Sequence, residues 1–316
     1  MQKIITFTNL YLLIFILAII FITLLMLKIE KPKEFVDRDL SYQSTLLAQV
    51  NADYYIETFN EDYISQVKIG ILDTGIFEHP NLNIYMLNDY NKNDELSHGV
   101  GVMGMIGAYK TSSNSYEGLL PGVMLYAYNV PSNQLTTTNL SLGIDKLVEA
   151  GVDIINISLS TSVNDPQLYN SVKSAIKEGV TIICSSGNSG DNSLYYPAAY
   201  ELPGVISVGA LNNDMDIIQA TTVNNLVDIF APGENIKTLD REPEVITEYS
   251  GTSIATPIIT SFAAILKSNC QSITPEEIEQ NIKENSTVYI GRWRGFNKTI
   301  NLLNVDKLDL TCTFRN

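Results

Sequence analysis

The sequence predicts an α/β protein with three layers, in which helices cover both faces of a mainly parallel sheet. The first observation is that strand-like apolar runs alternate with segments of helical periodicity: 124–130, 140–150, 152–159, 167–178 and 180–185. Alternation at this spacing implies right-handed βαβ crossovers and parallel strands. The second observation is that 316 residues with 45% apolar and 17% charged side chains can fill a large core.

The charge balance excludes one class of partner. The formal net charge is -15, and the only close basic pair after residue 48 is Arg292 and Arg294. Proteins that bind nucleic acid need clustered Lys and Arg against the phosphates, so we expect no nucleic-acid partner. The acidity is interpreted as a well-solvated surface.

The three cysteines, Cys184, Cys270 and Cys312, lie far apart and lack the spacing of a metal site. An odd number cannot pair completely within one chain. We therefore expect free, mostly buried thiols and no zinc site.

Residues 4–27 contain no charge and predict a single transmembrane helix before the globular body. At a rise of 1.5 Å per residue the helix is about 36 Å long, which exceeds a hydrocarbon core of about 30 Å. A cleaved signal peptide is the alternative, but the run is longer than a usual signal core and no small-x-small site follows. We expect an uncleaved anchor in the lipid bilayer, a linker over 28–48 and one domain over 49–308.

The orientation of this anchor rests on flanking charge. Lys3 precedes the segment, whereas four basic residues follow it: Lys28, Lys31, Lys33 and Arg38. The positive-inside rule then favours a body on the cytoplasmic face. An extracytoplasmic body remains the alternative, by analogy with membrane-tethered hydrolases that face outward.

The first candidate functional residue is Asp73. The buried-strand pattern of 67–72 ends in Asp73-Thr74-Gly75. Open α/β sheets bind their ligands at the carboxyl ends of the strands, so this position suits a site. The same tripeptide also begins ordinary turns, and alone it is a weak signal.

The chain has two histidines, His79 and His98. His98 stands where a polar loop enters a helix of small and apolar residues, which would leave its ring exposed. A single histidine is more often structural than catalytic, and we keep the structural interpretation for His79, which precedes Pro80.

Asn188 follows the strand over 180–185 and lies between glycines. Such an asparagine usually holds a left-handed turn, but it can also aim its amide donor into a cleft.

Ser253 stands where a glycine turn enters an apolar helix. Gly251 permits the tight backbone, and Pro257 is interpreted as tolerated because amides of the first helical turn lack partners. Negative charge that develops beside this serine would gain from the helix dipole. The alternative is a serine N-cap on an ordinary core helix.

Together, four motifs resemble those of the subtilisin-like serine peptidases in order and rough spacing. They are Asp73-Thr74-Gly75, Ser97-His98-Gly99, Ser186-Gly187-Asn188 and the run 251–257. The resemblance covers about 49–308 and implies a subtilisin-like fold and a serine endopeptidase. It further implies Ser253 as nucleophile, His98 as general base and then acid, and Asp73 as the supporting carboxylate, with Asn188 in the oxyanion hole.

The resemblance also implies where a substrate would bind. An extended peptide or protein segment would add a strand beside Ser158-Leu159-Ser160, with Ser185, Ser186 and Gly187 as the other wall. Tyr195 stands near the base of the family's primary specificity pocket. We expect its bulk to shorten that pocket and to favour small or slim side chains before the cut.

The chain departs from the family's pattern in several places. Val100-Gly101 replaces the usual Thr-His, and Ile254, Thr256 and Ile258 replace Met, Ser and His. None removes a reacting group, but together they indicate a divergent member.

Calcium sites are frequent in the family, but clear ligands are missing here. Asn81 stands where a carboxylate often binds the ion, and the loop 110–117 has an altered sequence. We expect no cofactor and no required metal, with structural calcium as an unsupported option.

There is also too little chain between 27 and the body for a folded pro-segment. With the charge bias, this favours a protease on the cytoplasmic face, and analogy then suggests a processing enzyme for a specific peptide or protein precursor.

Two alternatives to a peptidase remain. A catalytically silent subtilisin-like domain could bind peptides or act as a scaffold. An esterase of the α/β-hydrolase type is disfavoured because Ser253 lacks the Gly-x-Ser-x-Gly elbow and the triad order differs.

Overall fold

The computed structural model describes residues 64, 66–90, 96–308 and 312, which all fall within one compact unit of the chain, Tyr42–Asn316. Across these residues, no helix combines the length and the apolar character needed to cross a bilayer. The expected anchor over 4–27 and the linker over 28–48 lie outside the described residues.

The core of the protein is a sheet whose strands are nearly all parallel. In chain order the described strands are β1 (Ile69–Asp73), β2 (Asn83–Met86), β3 (Met124–Asn129), β4 (Ile154–Ile157), β5 (Thr181–Ser185), β6 (Val205–Leu211), β7 (Ile229–Pro232), β8 (Ile236–Leu239), β9 (Ile246–Tyr249), β10 (Thr287–Trp293) and β11 (Phe296–Leu302). The main sheet has the order β10-β11-β7-β6-β5-β4-β1-β3-β2, and β8 and β9 form a separate antiparallel pair. In the main sheet only β10 and β11 pair antiparallel. The expected mainly parallel α/β fold is confirmed.

Helices cover both faces of the sheet. They are α1 (His98–Gly107), α2 (Thr137–Glu149), α3 (Pro166–Lys177), α4 (Thr252–Asn269) and α5 (Pro275–Glu284). One buried cluster joins Ile69 and Ile71 of β1 to α1 and α4, whereas Leu72 belongs to a second cluster with α2 and α3. Successive side chains of a strand point to opposite faces, so the apolar run of β1 contributes to both cores.

The outer helices begin at residues that satisfy their first amides. Thr136 accepts a hydrogen bond from the Asn139 N–H at the start of α2, and Asp165 does the same for Gln167 in α3. At α5, Thr274 and Glu277 form a reciprocal capping box. These caps fix where each crossover helix starts.

Helix α4 is buried along nearly its whole length, as its apolar sequence predicts. Its buried hydroxyls bond to carbonyls one turn back: Thr256 donates to Thr252 O at 2.7 Å and Ser261 to Pro257 O at 2.8 Å. Small polar side chains therefore fit in this central helix without leaving unsatisfied donors.

The expectation of three free thiols is wrong for two of them. Cys270, which follows α4, forms a disulfide with Cys312, and their Cα atoms are 5.2 Å apart. Sequence spacing could not show this contact, because the chain from α5 through β11 has to fold back before the two meet. Cys184 is free and fully buried, and burial raises the pKa of its thiol.

Candidate active site

Asp73 ends β1, which lies between β3 and β4 in the middle of the sheet. Its side chain is fully buried. The carboxylate oxygen Oδ1 accepts the Thr74 N–H at 2.7 Å and lies 2.7 Å from Nδ1 of His98. Two charge-assisted contacts therefore orient this carboxylate, and one of them reaches the imidazole.

His98 is the first residue of α1, and its side chain is 30% exposed. The Gly99 N–H donates to Thr74 O at 2.8 Å, which fastens the start of the helix to the turn after β1. A Cβ at Gly99 would lie 2.7 Å from that carbonyl oxygen, so only glycine permits the approach. The Asp73 carboxylate raises the pKa of His98, although burial acts in the opposite direction.

Asn129 supports the Asp73 turn and was not identified from the sequence. It ends β3 in register with Asp73. Its Oδ1 accepts the Ile76 N–H at 2.9 Å, and its backbone exchanges two hydrogen bonds with the side chain of Asn88. The available signal was a polar residue at the carboxyl end of an apolar strand, the same signal that singled out Asp73.

Ser253 is the second residue of α4. Its hydroxyl donates to Ser158 O at 3.2 Å and makes no hydrogen bond to His98 in the described state. Helices α1 and α4 pack against each other, so His98 at the start of α1 and Ser253 at the start of α4 lie on neighbouring helices. The structure thus pairs the acid with the imidazole and leaves the alcohol on a carbonyl acceptor.

Pro257 lies beyond the first turn of α4, so the expected reason for its tolerance is wrong. A proline has no N–H for the carbonyl four residues before it, which here belongs to Ser253. That carbonyl instead accepts the hydroxyl of Ser158 at 2.8 Å. The carbonyl that the proline leaves without an amide donor therefore keeps a hydrogen-bond partner.

Asn188 is exposed, and its amide is held in one orientation. Its Oδ1 accepts both the backbone N–H of Thr252 at 2.9 Å and the Thr252 hydroxyl at 3.1 Å. Gly251, at φ 134°, permits this approach, because a Cβ there would lie 3.0 Å from Oδ1. The donor end, Nδ2, forms no hydrogen bond within the part of the chain that the structure describes, so it is available to a ligand.

The expected substrate-binding residues border the same carboxyl edge of the sheet. Ser158, Leu159 and Ser160 follow β4, and Ser185 ends the neighbouring β5 before Ser186 and Gly187. Asn156 donates to the Ser158 hydroxyl at 3.0 Å, and Ser186 donates to Thr222 O at 3.0 Å. These bonds fix the two segments from inside the protein.

Tyr195 packs on the turn that carries Asn188. The ring of Tyr195 would lie 3.0 Å from a Cβ placed on Gly187, and the Tyr195 hydroxyl forms a hydrogen bond with the Ser189 hydroxyl. The ring is therefore held against the wall formed by 185–187.

The loop at which the family often binds calcium has an amide donor at its centre. The fully buried Asn81 directs Nδ2 at Tyr109 O (2.8 Å), Thr111 Oγ1 (3.2 Å) and Asn114 O (3.4 Å). These oxygens already accept an N–H, and the buried Asn81 Oδ1 has no hydrogen-bond partner. With its amide nitrogen on these oxygens, Asn81 itself offers no ligand to a calcium ion, which binds oxygen atoms.

His79 is buried beside this loop. Its Nδ1 accepts the Asn81 N–H at 3.2 Å, and burial lowers its pKa. A neutral, packed ring of this kind supports the structural role expected for it. No cluster of three metal-ligating side chains (His, Cys, Asp or Glu) occurs in the part of the chain that the structure describes.

The sequence profile of the subtilase family matches residues 65–307. M-protease of Shouchella clausii strain KSM-K16 is 31% identical over 230 residues, which cover 71% of this chain and 60% of that protein. Subtilisin Savinase of Lederbergia lenta is also 31% identical over 230 residues, covering 71% of this chain and 84% of that protein.

A solved structure gives the same relationship. A mutant of the protease domain of PatA aligns with a TM-score of 0.66 and 26% identity, over 77% of this chain and 94% of that one.

Proposed function

The chain belongs to the subtilase family of subtilisin-like serine proteases, and we propose that it is an active serine endopeptidase. In this proposal Ser253 is the nucleophile, His98 the general base and then acid, and Asp73 the carboxylate that supports the imidazole. Asn188 and the Ser253 N–H donate to the oxyanion.

The proposed reaction has two stages. Ser253 Oγ attacks the carbonyl carbon of the scissile peptide while His98 Nε2 accepts the hydroxyl proton, and the carbonyl oxygen takes the negative charge. When the C–N bond breaks, His98 returns the proton to the leaving amine and an acyl ester remains on Ser253. Water then attacks this ester by the same route, and its proton passes through His98 back to Ser253 Oγ.

The observation that carries the proposal is the 2.7 Å contact between His98 Nδ1 and the fully buried Asp73 carboxylate. An acceptor at Nδ1 fixes the tautomer that carries its proton there, so Nε2 has a free lone pair for the serine proton. The same carboxylate stabilises the imidazolium that forms during attack.

The serine has to change its partner before it can react. Its hydroxyl donates to Ser158 O, and a rotation about its Cα–Cβ bond is the proposed route to His98. Catalytic hydrogen bonds are often loose before substrate binds. A substrate strand beside 158–160 would also compete for polar groups of this segment.

The proposed oxyanion hole is supported by orientation. Thr252 donates two hydrogen bonds to Asn188 Oδ1, which fixes the orientation of the amide and leaves Nδ2 to donate to the oxyanion. The Ser253 N–H belongs to the first turn of α4, where backbone donors have no partner within the helix. Two donors at a helix N-terminus suit a developing negative charge.

We further propose that Tyr195 limits the primary specificity pocket, because its ring is fixed against Gly187 and its hydroxyl against Ser189. Wild type should cut after small or slim residues, and Tyr195→Gly should gain cleavage after Phe. A peptide library in which wild type cuts efficiently after Phe or Arg contradicts this specificity.

The proposed tether is the charge-free segment over 4–27. Its flanking charges favour a cytoplasmic body, whereas the Cys270–Cys312 disulfide favours an oxidising compartment on the other side. We give the disulfide more weight, because a disulfide persists only where the compartment is oxidising, whereas the charge bias rests on four basic residues. Digestion of the body by external protease on intact cells would support the outward orientation, and protection would contradict it.

A tethered peptidase with a narrow pocket suits the processing of a specific peptide or protein precursor. No partner beyond such a substrate and the bilayer is proposed.

Fluorophosphonate labelling of the full chain tests the activity. Wild type and Ser250→Ala should be labelled, and Ser253→Ala should not; Ser250 is an exposed serine three residues away. A folded wild type that takes no label favours the silent peptide-binding domain. The hydroxyl contact between Ser253 and Ser158 is the observation that keeps this second candidate open.

A further inference from the structure

We propose that the β8–β9 hairpin positions the general base, with Tyr249 acting on His98 through Ser97. The inference rests on the proposed peptidase function and adds a positioning residue to it. Tyr249 ends β9, four residues before Ser253, and Ser97 directly precedes His98. One segment of chain therefore contacts the base and leads into the nucleophile.

The hydroxyl of Ser97 is committed to the hairpin. Ser97 is the N-cap of α1, yet its side chain makes no capping bond. It donates to Asp240 Oδ1 at 2.6 Å, in the turn between β8 and β9. Because a serine hydroxyl has one proton, the 3.1 Å contact between Ser97 Oγ and Tyr249 Oη requires Tyr249 to be the donor.

The result is a directed chain from the Tyr249 hydroxyl through Ser97 to a carboxylate. Burial raises the pKa of Tyr249, which keeps its hydroxyl protonated and able to donate. The Arg241 N–H also donates to Asp240 Oδ1, at 2.7 Å, and fixes the acceptor end. Arg241 Nη2 donates to Leu96 O at 3.1 Å, so the same turn holds the segment before His98 at a second point.

A glycine in α1 makes room for the tyrosine ring. A Cβ at Gly101 would lie 2.6 Å from Cε2 of Tyr249. The ring meets the His98 imidazole edge-on, with centroids 6.1 Å apart. Thr238 of β8 donates to Gly101 O at 2.6 Å, so the hairpin bonds the helix where the glycine lies. Gly101 is one of the departures from the family's pattern, and Tyr249 fills the space that it leaves.

The expected consequence is control over the distance between His98 and Ser253. The imidazole can rotate or shift with the first turn of α1, and the Ser97 anchor opposes that shift. A misplacement of about 1 Å in an active site can cost about 100-fold in rate, so loss of one anchor should lower kcat by about tenfold. Substrate contacts made by 158–160 are untouched, so KM should change little.

The test compares Tyr249→Phe, Ser97→Ala and Ser97→Thr in the full chain with a matched control, Tyr200→Phe. The Tyr200 hydroxyl donates to Asp165 O at 3.1 Å, away from His98, so its removal costs a comparable hydrogen bond. We expect Tyr249→Phe and Ser97→Ala to lower kcat and the fluorophosphonate labelling rate by about tenfold at unchanged KM. Ser97→Thr keeps a hydroxyl and should restore the rate, and Tyr200→Phe should match wild type.

Equal rates for wild type, Tyr249→Phe and Ser97→Ala would overturn the proposal, as would an equal loss in Tyr200→Phe. An independent readout is hydrogen exchange of the amides over 97–101, which should speed up in Tyr249→Phe and Ser97→Ala only. Unchanged exchange in both also overturns it. If wild type takes no label, the proposed function fails, and the exchange result still decides whether the hairpin fixes His98.

Discussion

Replacing Asn188 separates its two roles, because the two ends of its amide contact different groups. Oδ1 holds Thr252 through two hydrogen bonds, whereas Nδ2 faces the proposed oxyanion. Asn188→Ala removes both ends. Asn188→Asp keeps the acceptor for Thr252, replaces the donor with an oxygen and adds a negative charge.

The magnitudes follow from these contacts. Loss of one oxyanion donor lowers kcat by about 10²–10³, or about 2.7–4 kcal/mol, a range that itself comes from a subtilisin. Asn188→Ala also leaves the N–H and hydroxyl of the fully buried Thr252 without their acceptor, at a cost of about 1–3 kcal/mol in the free energy of unfolding. Asn188→Asp should keep that stability and lose at least as much kcat, since its charge repels the oxyanion.

The assay is peptide hydrolysis with separate kcat and KM, together with thermal unfolding of each variant. Asn297→Ala, at an exposed asparagine in the β10–β11 hairpin, is the control and should match wild type. An Asn188→Ala enzyme whose kcat stays near wild type, or an Asn188→Asp enzyme more active than Asn188→Ala, would refute the oxyanion assignment. A rise in KM alone would mean that Asn188 only binds substrate.

Three further predictions follow. Because Asp73 raises the pKa of His98 above its ordinary 6.5, kcat/KM should rise with pH through that higher value, and Asp73→Asn should lower the midpoint. An unmoved kcat/KM midpoint in Asp73→Asn contradicts this. The same pair should stabilise the fold below pH 6.5 and lose that contribution as pH rises through the folded pKa of His98, and urea unfolding across this pH range measures the loss. Calcium and EDTA should leave the unfolding temperature of wild type unchanged, whereas Asn81→Asp should unfold earlier in EDTA and recover in calcium; a saturable rise in wild type contradicts this. Removing the Cys270–Cys312 disulfide, which joins residues 42 apart, should cost about 2–4 kcal/mol, and an unchanged unfolding midpoint after reduction contradicts it.

Sequence reasoning succeeded where a feature is local. The parallel sheet follows from the alternation of strands and helices, and the position of Asp73 at the end of β1 follows from the apolar run before it. Strand ends on one edge of a sheet meet in space, so residues that were only ordered along the chain become neighbours.

Reasoning from the sequence failed where a partner lies far along the chain. Pairing of Cys270 with Cys312 depends on the path of α5, β10 and β11, which no spacing rule supplies. The tolerance of Pro257 depends on Ser158, whose hydroxyl donates to the Ser253 carbonyl from 95 residues earlier in the chain. In both cases the local pattern was visible, but the compensating contact was not.

Gly101 shows how such a distant partner reverses the expected effect of a substitution. Within a helix, Gly→Ala normally gains about 1 kcal/mol from backbone propensity. Here the added Cβ would lie 2.6 Å from the Tyr249 ring, and overpacking typically costs about 1–3 kcal/mol. Gly101→Ala should therefore destabilise wild type, yet stabilise a Tyr249→Ala background in which the space is empty. Urea unfolding of the four proteins in this cycle measures the coupling, and additive effects would mean that ring and glycine do not depend on each other. A substitution toward the family's usual side chain at this position would then damage the chain, since its tyrosine already occupies the volume.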